Sequence, residues 1–230
     1  AFGNGTEVAA MNECAGRTVR IYDALTAQIA YLLAVYRHRP QTIAALERMI
    51  GAYVLERTSE LGSVGRGACV KGARFVREVR IGDGATIDGA TLLENGTLCA
   101  GAFVGADVKA RDFILAEGAR VDNGSILERC FVGESSVLDK GFTATHSLFF
   151  ANCHCECGEA ASVFAGPYTV SHHKSTLLIA GMFSFFNAGS GSNQSNHLFK
   201  SGAVHQSVHL RGCKFASSAY IMSPALEGAF

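Results

Sequence analysis

The sequence has no tryptophan, only three prolines and no excess of either charge. Lys and Arg together number 20, and so do Asp and Glu, which makes the formal net charge zero. A chain without a basic excess gives no electrostatic reason to expect a nucleic acid or an anionic membrane surface as partner. Apolar runs such as residues 177–180 are far too short to span a bilayer. We therefore expect no nucleic acid and no membrane among its partners.

Cysteine is present but sparse, with eight residues in 230. This density is below that of a small disulfide scaffold, and most of these cysteines lie in apolar or strand-like surroundings, where Cys behaves as a small hydrophobe. The pattern predicts a reducing compartment, hence a cytoplasmic location. The first residue is Ala1, and residues 2–8 already resemble a repeat unit, while residues 223–230 offer no obvious stop. We expect a fragment of a longer protein.

Glycine is abundant, at 26 residues, and it recurs within a repeat. The template is an aliphatic residue, Gly, two variable residues, a small residue, one more residue and another aliphatic. Residues 64–70 and 81–87 fit it, residues 132–137 reach the next aliphatic one place early, and residues 104–110 and 157–163 are weaker copies. A strict six-residue spacing also joins Phe75, Ile81, Ile87 and Leu93.

This repeat predicts a mainly β fold, a parallel β-helix of hexapeptide repeats. Each coil would have three flat sides with an inward aliphatic residue, and Gly or small residues would turn the corners. A single coil cannot bury its own apolar face, so coils must stack. The alternative is an ordinary β-rich domain with coincidental Gly turns, which five separate hexads make the weaker explanation.

The six-residue period disappears between Asp23 and about Leu61. Leu25, Ile29, Leu32 and Tyr36 are spaced as one face of a helix, and helical spacing resumes at residues 43–57. We predict an inserted hairpin of two helices of about four to five turns each. Asp23 is the expected N-cap, Pro40 the first turn of the second helix and Gly62 the stop. The predicted organisation is a coil at 1–22, the α-helical hairpin at 23–62 and β-helix at 63–230.

Polar groups crowd the sequence after Val163, and seven of the eight histidines follow residue 145. In an extended strand His172 and His173 would point to opposite faces, so only one would face outward. His is suited to act as a general base near neutral pH, amides can orient a sugar, and Lys can meet a phosphate. The candidate catalytic residues are His173, His197 and His205. The candidate substrate-binding residues are His172, Lys174, Ser192, Asn193, Gln194, Asn196 and Gln206. Structural, hydrogen-bonded histidines are the alternative explanation.

The run from Asn152 to Cys157 raises a zinc hypothesis, because thiolates and imidazole suit that ion. However, Cys153, Cys155 and Cys157 alternate on one strand face, with roughly 7 Å between successive Cα atoms. Three ligands in a line converge poorly on a tetrahedron. Inward-facing cysteines in a narrow core explain the alternation better, and we expect no metal.

Residues 147–153, 164–183 and 189–197 resemble an uncharacterised family of hexapeptide-repeat proteins from Bacteroides-type gut bacteria, and the resemblance covers nearly the whole chain. At superfamily level the chain is similar to trimeric acyltransferases and to the β-helix domains of sugar nucleotidyltransferases. The resemblance implies a left-handed winding, which the pattern alone does not, and a homotrimer. It transfers no catalytic residue, because only the hexads match.

Three functions follow as hypotheses. The first is a transferase acting on a sugar or nucleotide-sugar substrate with a histidine as general base, for which acyl-CoA would be the co-substrate of an acyltransferase version. The second is a non-catalytic β-helix that serves as scaffold or oligomerisation domain of a longer protein. The third is the β-helix part of a sugar-phosphate nucleotidyltransferase.

Overall fold

The structure, a computed structural model, describes residues 1–11 and 16–194 with their side chains and, beyond residue 194, the backbone of five short strands. The fold is mainly β: parallel strands stack coil upon coil in two sheets, and one helical pair precedes them. The predicted mainly β fold, a parallel β-helix accompanied by two helices, is therefore confirmed. The left-handed winding stays a prediction from the resemblance.

The coil is 17 residues long over most of its length. Thr86 pairs with Phe103, Phe103 with Arg120, and Arg120 with Val137, each 17 residues apart. Inward residues recur at intervals of six, six and five, so each coil is one residue shorter than three hexads. The short interval spans Leu93 to Leu98, where Asn95 (φ +48°) adopts a left-handed conformation and tightens one corner. Asn tolerates that conformation better than most residues.

The interior of the solenoid consists of three ladders of inward side chains, one for each side of the coil. These residues are almost fully buried, and the spacing through Ile81, Ile87 and Leu93 is confirmed. Phe75 and the first inward residues Val64, Val70 and Val76 are exposed, because no described coil precedes them. The buried ladders are Ile81, Leu98, Leu115, Val132, Phe149, Ala165 and Met182; Ile87, Val104, Val121, Leu138, Cys155, Ser171 and Ala188; and Leu93, Ala110, Leu127, Ala144, Ala160, Leu177 and Gln194.

Three flat faces enclose this interior. Face 1 is the eight-stranded sheet. Faces 2 and 3 belong to the larger sheet, whose long early strands bend from one face onto the other. The strands of face 1 are β3 (Cys69–Lys71), β5 (Thr86–Asp88), β7 (Phe103–Val104), β9 (Arg120–Val121), β11 (Val137–Asp139), β14 (His154–Glu156), β17 (Val170–Ser171) and β20 (Asn187–Ala188).

The bent strands shared by faces 2 and 3 are β4 (Val76–Ile81), β6 (Leu92–Leu98), β8 (Lys109–Leu115) and β10 (Ile126–Val132). Face 2 continues with β12 (Thr143–Thr145), β15 (Glu159–Ala161), β18 (Thr176–Leu178), β21 (Asn193–Gln194) and β25 (Tyr220–Ile221). Face 3 continues with β13 (Leu148–Phe149), β16 (Phe164–Ala165), β19 (Ala180–Met182), β24 (Val208–Arg211) and β26 (Ala225–Glu227). Strands β22 (His197–Leu198) and β23 (Gly202–Ala203) form an antiparallel pair that interrupts the coil.

The N-terminal region differs from the predicted coil at 1–22. Strands β1 (Glu7–Ala9) and β2 (Thr18–Arg20) pair antiparallel with each other. The segment attaches to the solenoid by other contacts, such as the Thr97 hydroxyl donating to the carbonyl of Phe2 (2.7 Å). The described residues 1–11 and 16–22 therefore form a ribbon that lies against the solenoid and adds no coil to it.

The helical hairpin consists of α1 (Ala27–Val35) and α2 (Pro40–Arg57). Pro40 begins α2 as predicted. The predicted N-cap Asp23 is wrong: Thr26 caps α1 by accepting from the N–H of Ile29, while the Asp23 carboxylate accepts from the Tyr53 hydroxyl (2.6 Å). The predicted stop at Gly62 is also wrong, since α2 ends at Arg57 and Thr58 turns extended. Helix α1 has nine residues, which makes it shorter than predicted.

The ribbon and the hairpin cover the outer side of face 3. Outward residues of this face, including Ile114, Phe131, Leu148 and Phe164, are buried in a second apolar cluster with Val19, Leu33 and Ile50. Burial of this apolar surface explains why face 3 is apolar on both sides, and it stabilises the hairpin in place. Face 1 lies outside that cluster and carries mostly polar side chains outward.

Candidate functional site

A group of ionisable side chains lies on the outer side of face 1, at the corner that follows β11, β14 and β17. We call it the histidine patch, and it consists of Lys140, His154, Glu156, His172 and His173. Cys155 points inward and is fully buried, so its neighbours His154 and Glu156 point outward. Cys155 pairs with Ser171, which places His172 beside Glu156 on the next coil. Three successive coils thus supply the patch.

Glu156 is the centre of the patch. Its Oε1 atom lies 3.0 Å from His154 Nε2, and its Oε2 atom accepts a hydrogen bond from Lys140 Nζ at 2.7 Å. The Glu156 side chain is only 12% exposed, whereas His154 is 43% exposed. The rings of His154 and His172 meet edge to face, with centroids 4.6 Å apart, and the His173 ring lies 5.9 Å from that of His172. The carboxylate is therefore fixed between an ammonium group and an imidazole.

The charges in the patch follow from these contacts. The hydrogen bond from Lys140 holds the pKa of Glu156 below its ordinary value, so the carboxylate is ionised. The same bond raises the pKa of Lys140. Burial, followed by the nearby His154, lowers the pKa of His172 and favours its neutral form. The Nε2 atom of His172 is buried and has no hydrogen-bond partner.

The patch also has the geometry of a metal-ligand group. His154, Glu156 and His172 each offer one ligand atom, and these atoms all lie within 4.8 Å of one another. Two imidazoles and one carboxylate are ligand types that transition metals accept in catalytic sites. The three cysteines for which an inward position was predicted behave differently: Cys153 and Cys155 face the interior as predicted, whereas Cys157 is half-buried at the corner, outside the strand.

The sequence placed His172 and His173 on opposite faces of a strand, and this is wrong. Strand β17 ends at Ser171, and both His173 (φ +62°) and Lys174 (φ +59°) adopt left-handed conformations. The chain therefore turns the corner within these residues, and the alternation of a strand does not apply. His172 is half-buried, and both His173 and Lys174 are exposed.

The next predicted cluster lies on the adjoining coil. The N–H of Gly191 donates to the carbonyl of His173 (2.9 Å), which stacks this loop directly on the patch corner. Ser192 is buried, and its hydroxyl donates to that of Ser175 (3.4 Å). Gln194 is fully buried in an inward ladder, with both of its amide atoms unpartnered. Asn193 is half-buried and is the member of this cluster with an outward position.

The remaining predicted residues lie outside the described side chains. His197 lies in β22, of which the structure describes the backbone alone. Asn196, His205 and Gln206 lie outside the described residues altogether. Sequence reasoning missed Lys140, His154 and Glu156. The signal for His154 and Glu156 was available, because inward cysteines at 153 and 155 require outward neighbours.

An apolar cavity of about 610 Å³ lies between α1 and another corner of the solenoid. Its wall includes Tyr31, Phe183 and the exposed rings of Tyr168 and Phe185, which stack in parallel with centroids 5.1 Å apart. It shares no residue with the histidine patch. Titratable groups that form an acid–base arrangement are concentrated in the patch, which is therefore the stronger candidate for chemistry.

Comparisons with known proteins add a family. The model of a family described as "Domain of unknown function (DUF4954)" matches residues 1–230. An "Uncharacterized protein" of Treponema pallidum (strain Nichols) is 27% identical over 230 residues, which is 92% of this chain and 32% of that protein. The chain thus spans about a third of the length of this relative. No solved structure matches. Within the described residues, neither helix combines the length and apolar character needed to cross a membrane.

Proposed function

We propose that this chain, which belongs to the DUF4954 family, is the substrate-binding β-helix of a transferase that acts on a sugar or nucleotide-sugar type substrate at the histidine patch. The observation that supports this most is the convergence of three imidazoles, a carboxylate and an ammonium group from successive coils on one open face. Such a grouping is costly to fix in place and has no role in the buried ladders.

In this proposal His173 is the general base. Its ring is exposed at the corner, and the exposed ammonium group of Lys174 next to it meets an anionic group of the substrate. Asn193, on the adjoining coil, contributes an amide. In the acyltransferase version, a substrate hydroxyl oxygen attacks the thioester carbonyl of an acyl-CoA while its proton passes to His173. The C–S bond then breaks, and the thiol leaves with a proton.

A thermal-shift screen tests this proposal with acyl-CoAs, sugar phosphates and nucleotide sugars as separate classes. A ligand at about 100 times its Kd stabilises by roughly 2.7 kcal/mol, which raises the Tm by about 5–10 °C in a chain of this size. We expect one class to give this shift in the native protein and in the control His38→Gln, whose histidine is exposed in the helical hairpin. The shift should fall sharply in His173→Gln and Lys174→Gln. If no class shifts the Tm, or if all variants shift equally, the proposal is wrong.

The second candidate function is a non-catalytic scaffold. It is supported by the fraction of the relative that this chain covers, 32%, which leaves room for catalytic parts elsewhere in a longer protein. It predicts that none of the three ligand classes shifts the Tm. The homotrimer and the cytoplasmic location also stay predictions. Light scattering of the purified chain would check the first, and fractionation of cells the second.

A further inference from the structure

We infer that His154, Glu156 and His172 form a binding site for a divalent transition metal ion, with Zn²⁺ as the best-fitting ion. This inference goes beyond the transferase proposal, because it concerns the resident ion and stands whether or not a sugar binds. It assigns a role to three side chains that form no part of the solenoid core. It also reverses the expectation, drawn from the cysteines, that the chain holds no metal.

The distances between the three ligand atoms fit a zinc ion. Zinc bonds to nitrogen and oxygen of about 2.0–2.2 Å place two tetrahedral ligands roughly 3.3 Å apart. His154 Nε2 and Glu156 Oε1 are already 3.0 Å apart, and the third ligand atom lies within 4.8 Å of both. The His172 ring must rotate about its side-chain torsions to close the remaining gap, and no hydrogen bond of its Nε2 atom opposes that rotation.

His172 has an unsatisfied ring nitrogen. A buried imidazole nitrogen without a partner costs free energy, because it has lost its contact with water and gained no replacement. Within the described residues, the polar groups that its ring faces are His154, Glu156, His173 and Lys140. None of them forms a hydrogen bond with Nε2. A metal ion bound also by His154 and Glu156 supplies the missing partner.

Lys140 supports the ligand group from outside. Its ammonium group binds the Oε2 atom of Glu156, which leaves Oε1 directed towards His154. Outer partners of this kind orient metal ligands. Two histidines, one glutamate and access to solvent give three protein ligands and a free coordination position, the arrangement of catalytic rather than structural zinc.

Calorimetric titration of the metal-free chain with Zn²⁺ tests the inference. We expect one site per chain and a loss of affinity of more than about 100-fold in His154→Gln, Glu156→Gln and His172→Gln, since loss of an outer partner alone typically costs ~10–100-fold. Lys140→Gln should fall in that smaller range. His38→Gln is the control and should bind as the native chain does. Circular dichroism of each variant checks that it folds. In His172→Gln the Nε2 atom that is lost has no hydrogen-bond partner in the fold.

Substitution by Co²⁺ provides the second readout. Visible bands of tetrahedral Co²⁺ with nitrogen and oxygen ligands are expected in the native chain and absent in His172→Gln. The inference would be overturned if no site were found, or if the three ligand variants bound the ion as tightly as the native chain does. A thiolate-to-cobalt charge-transfer band would also overturn it, because that band would assign the ion to cysteines. Because no sugar or acyl donor is present, this result is independent of the ligand screen.

Discussion

Two buried serines of the solenoid should respond in opposite directions to the same substitution. Ser171 occupies an inward ladder between Cys155 and Ala188, is fully buried, and its hydroxyl has no hydrogen-bond partner. Ser136 is also fully buried, but its hydroxyl donates to the carbonyl of Phe150 (2.8 Å) and accepts from the N–H of Cys153 (3.0 Å). Replacement by Ala removes the same atom from both positions.

The expected magnitudes follow from this difference. Ser171→Ala removes a desolvated hydroxyl and should raise the free energy of unfolding by about 1 kcal/mol. Ser136→Ala removes two hydrogen bonds and should lower it by about 2 kcal/mol. At roughly 2–4 °C per kcal/mol, the Tm values of the two variants should differ by about 6–12 °C.

Thermal melting followed by circular dichroism, with urea unfolding as a second measure, is the assay. Each variant is compared with the native chain on the same day and in the same buffer. Destabilisation by Ser171→Ala as large as that by Ser136→Ala would contradict this expectation. That result would mean that the interior position of Ser171, and with it the register of this ladder, is wrong.

Three further predictions concern packing, pH and thiol reactivity. In urea unfolding, Gly166→Ala should destabilise the chain by about 1–3 kcal/mol, because the new Cβ would lie 2.2 Å from the carbonyl oxygen of Phe183. In Gly51→Ala, in α2, the new Cβ meets nothing closer than 3.7 Å, so this variant should be stabilised by about 0.5–1 kcal/mol. The opposite order of stability would contradict the packing. Burial holds the pKa of His146 below 6.5, and its Nδ1 accepts from the N–H of Ala9 (3.1 Å). This stabilisation, of at most about 1 kcal/mol, is present above the pKa of His146 in the unfolded chain and is lost as the pH falls through its lower pKa in the folded chain. The native chain should therefore lose more stability on acidification than His146→Gln does. Equal losses would count against the contact. Burial raises the pKa of Cys130 and Cys153 to about 12. A thiol reagent should therefore label the exposed Cys69 in the native chain, but Cys130 and Cys153 only after unfolding. Fast labelling of Cys130 or Cys153 in the native chain would disprove their burial.

Much of the fold was readable in the sequence because the inward residues of a solenoid repeat. Ile81, Ile87 and Leu93 are inward as predicted, and Pro40 begins a helix. The five-residue interval on the third side of each coil could not be predicted from the sequence, because a stretch that lacks one residue still matches a six-residue template as an imperfect copy. The repeat at 132–137 is a separate case, in which no residue is missing: its early aliphatic Val137 points outward, and Leu138, six places after Val132, is the buried residue.

The site was harder to predict than the fold, because it depends on neighbours between coils. His172 and His173 stood out as a histidine pair, but their partners lie one coil earlier along the chain. Glu156 meets His172 only because one coil step, from Cys155 to Ser171, is 16 residues long. Side-chain alternation at Cys153 and Cys155 could place His154 and Glu156 outward; the register between coils could not be obtained without the coil length.

The claim that three successive coils build a ligand site on face 1 is tested most directly by crystals of the zinc-soaked chain measured at the zinc absorption edge. We expect one strong anomalous peak within about 2.0–2.2 Å of a nitrogen of His154, an oxygen of Glu156 and a nitrogen of His172. Strong peaks at other residues, with none between these three side chains, would contradict it.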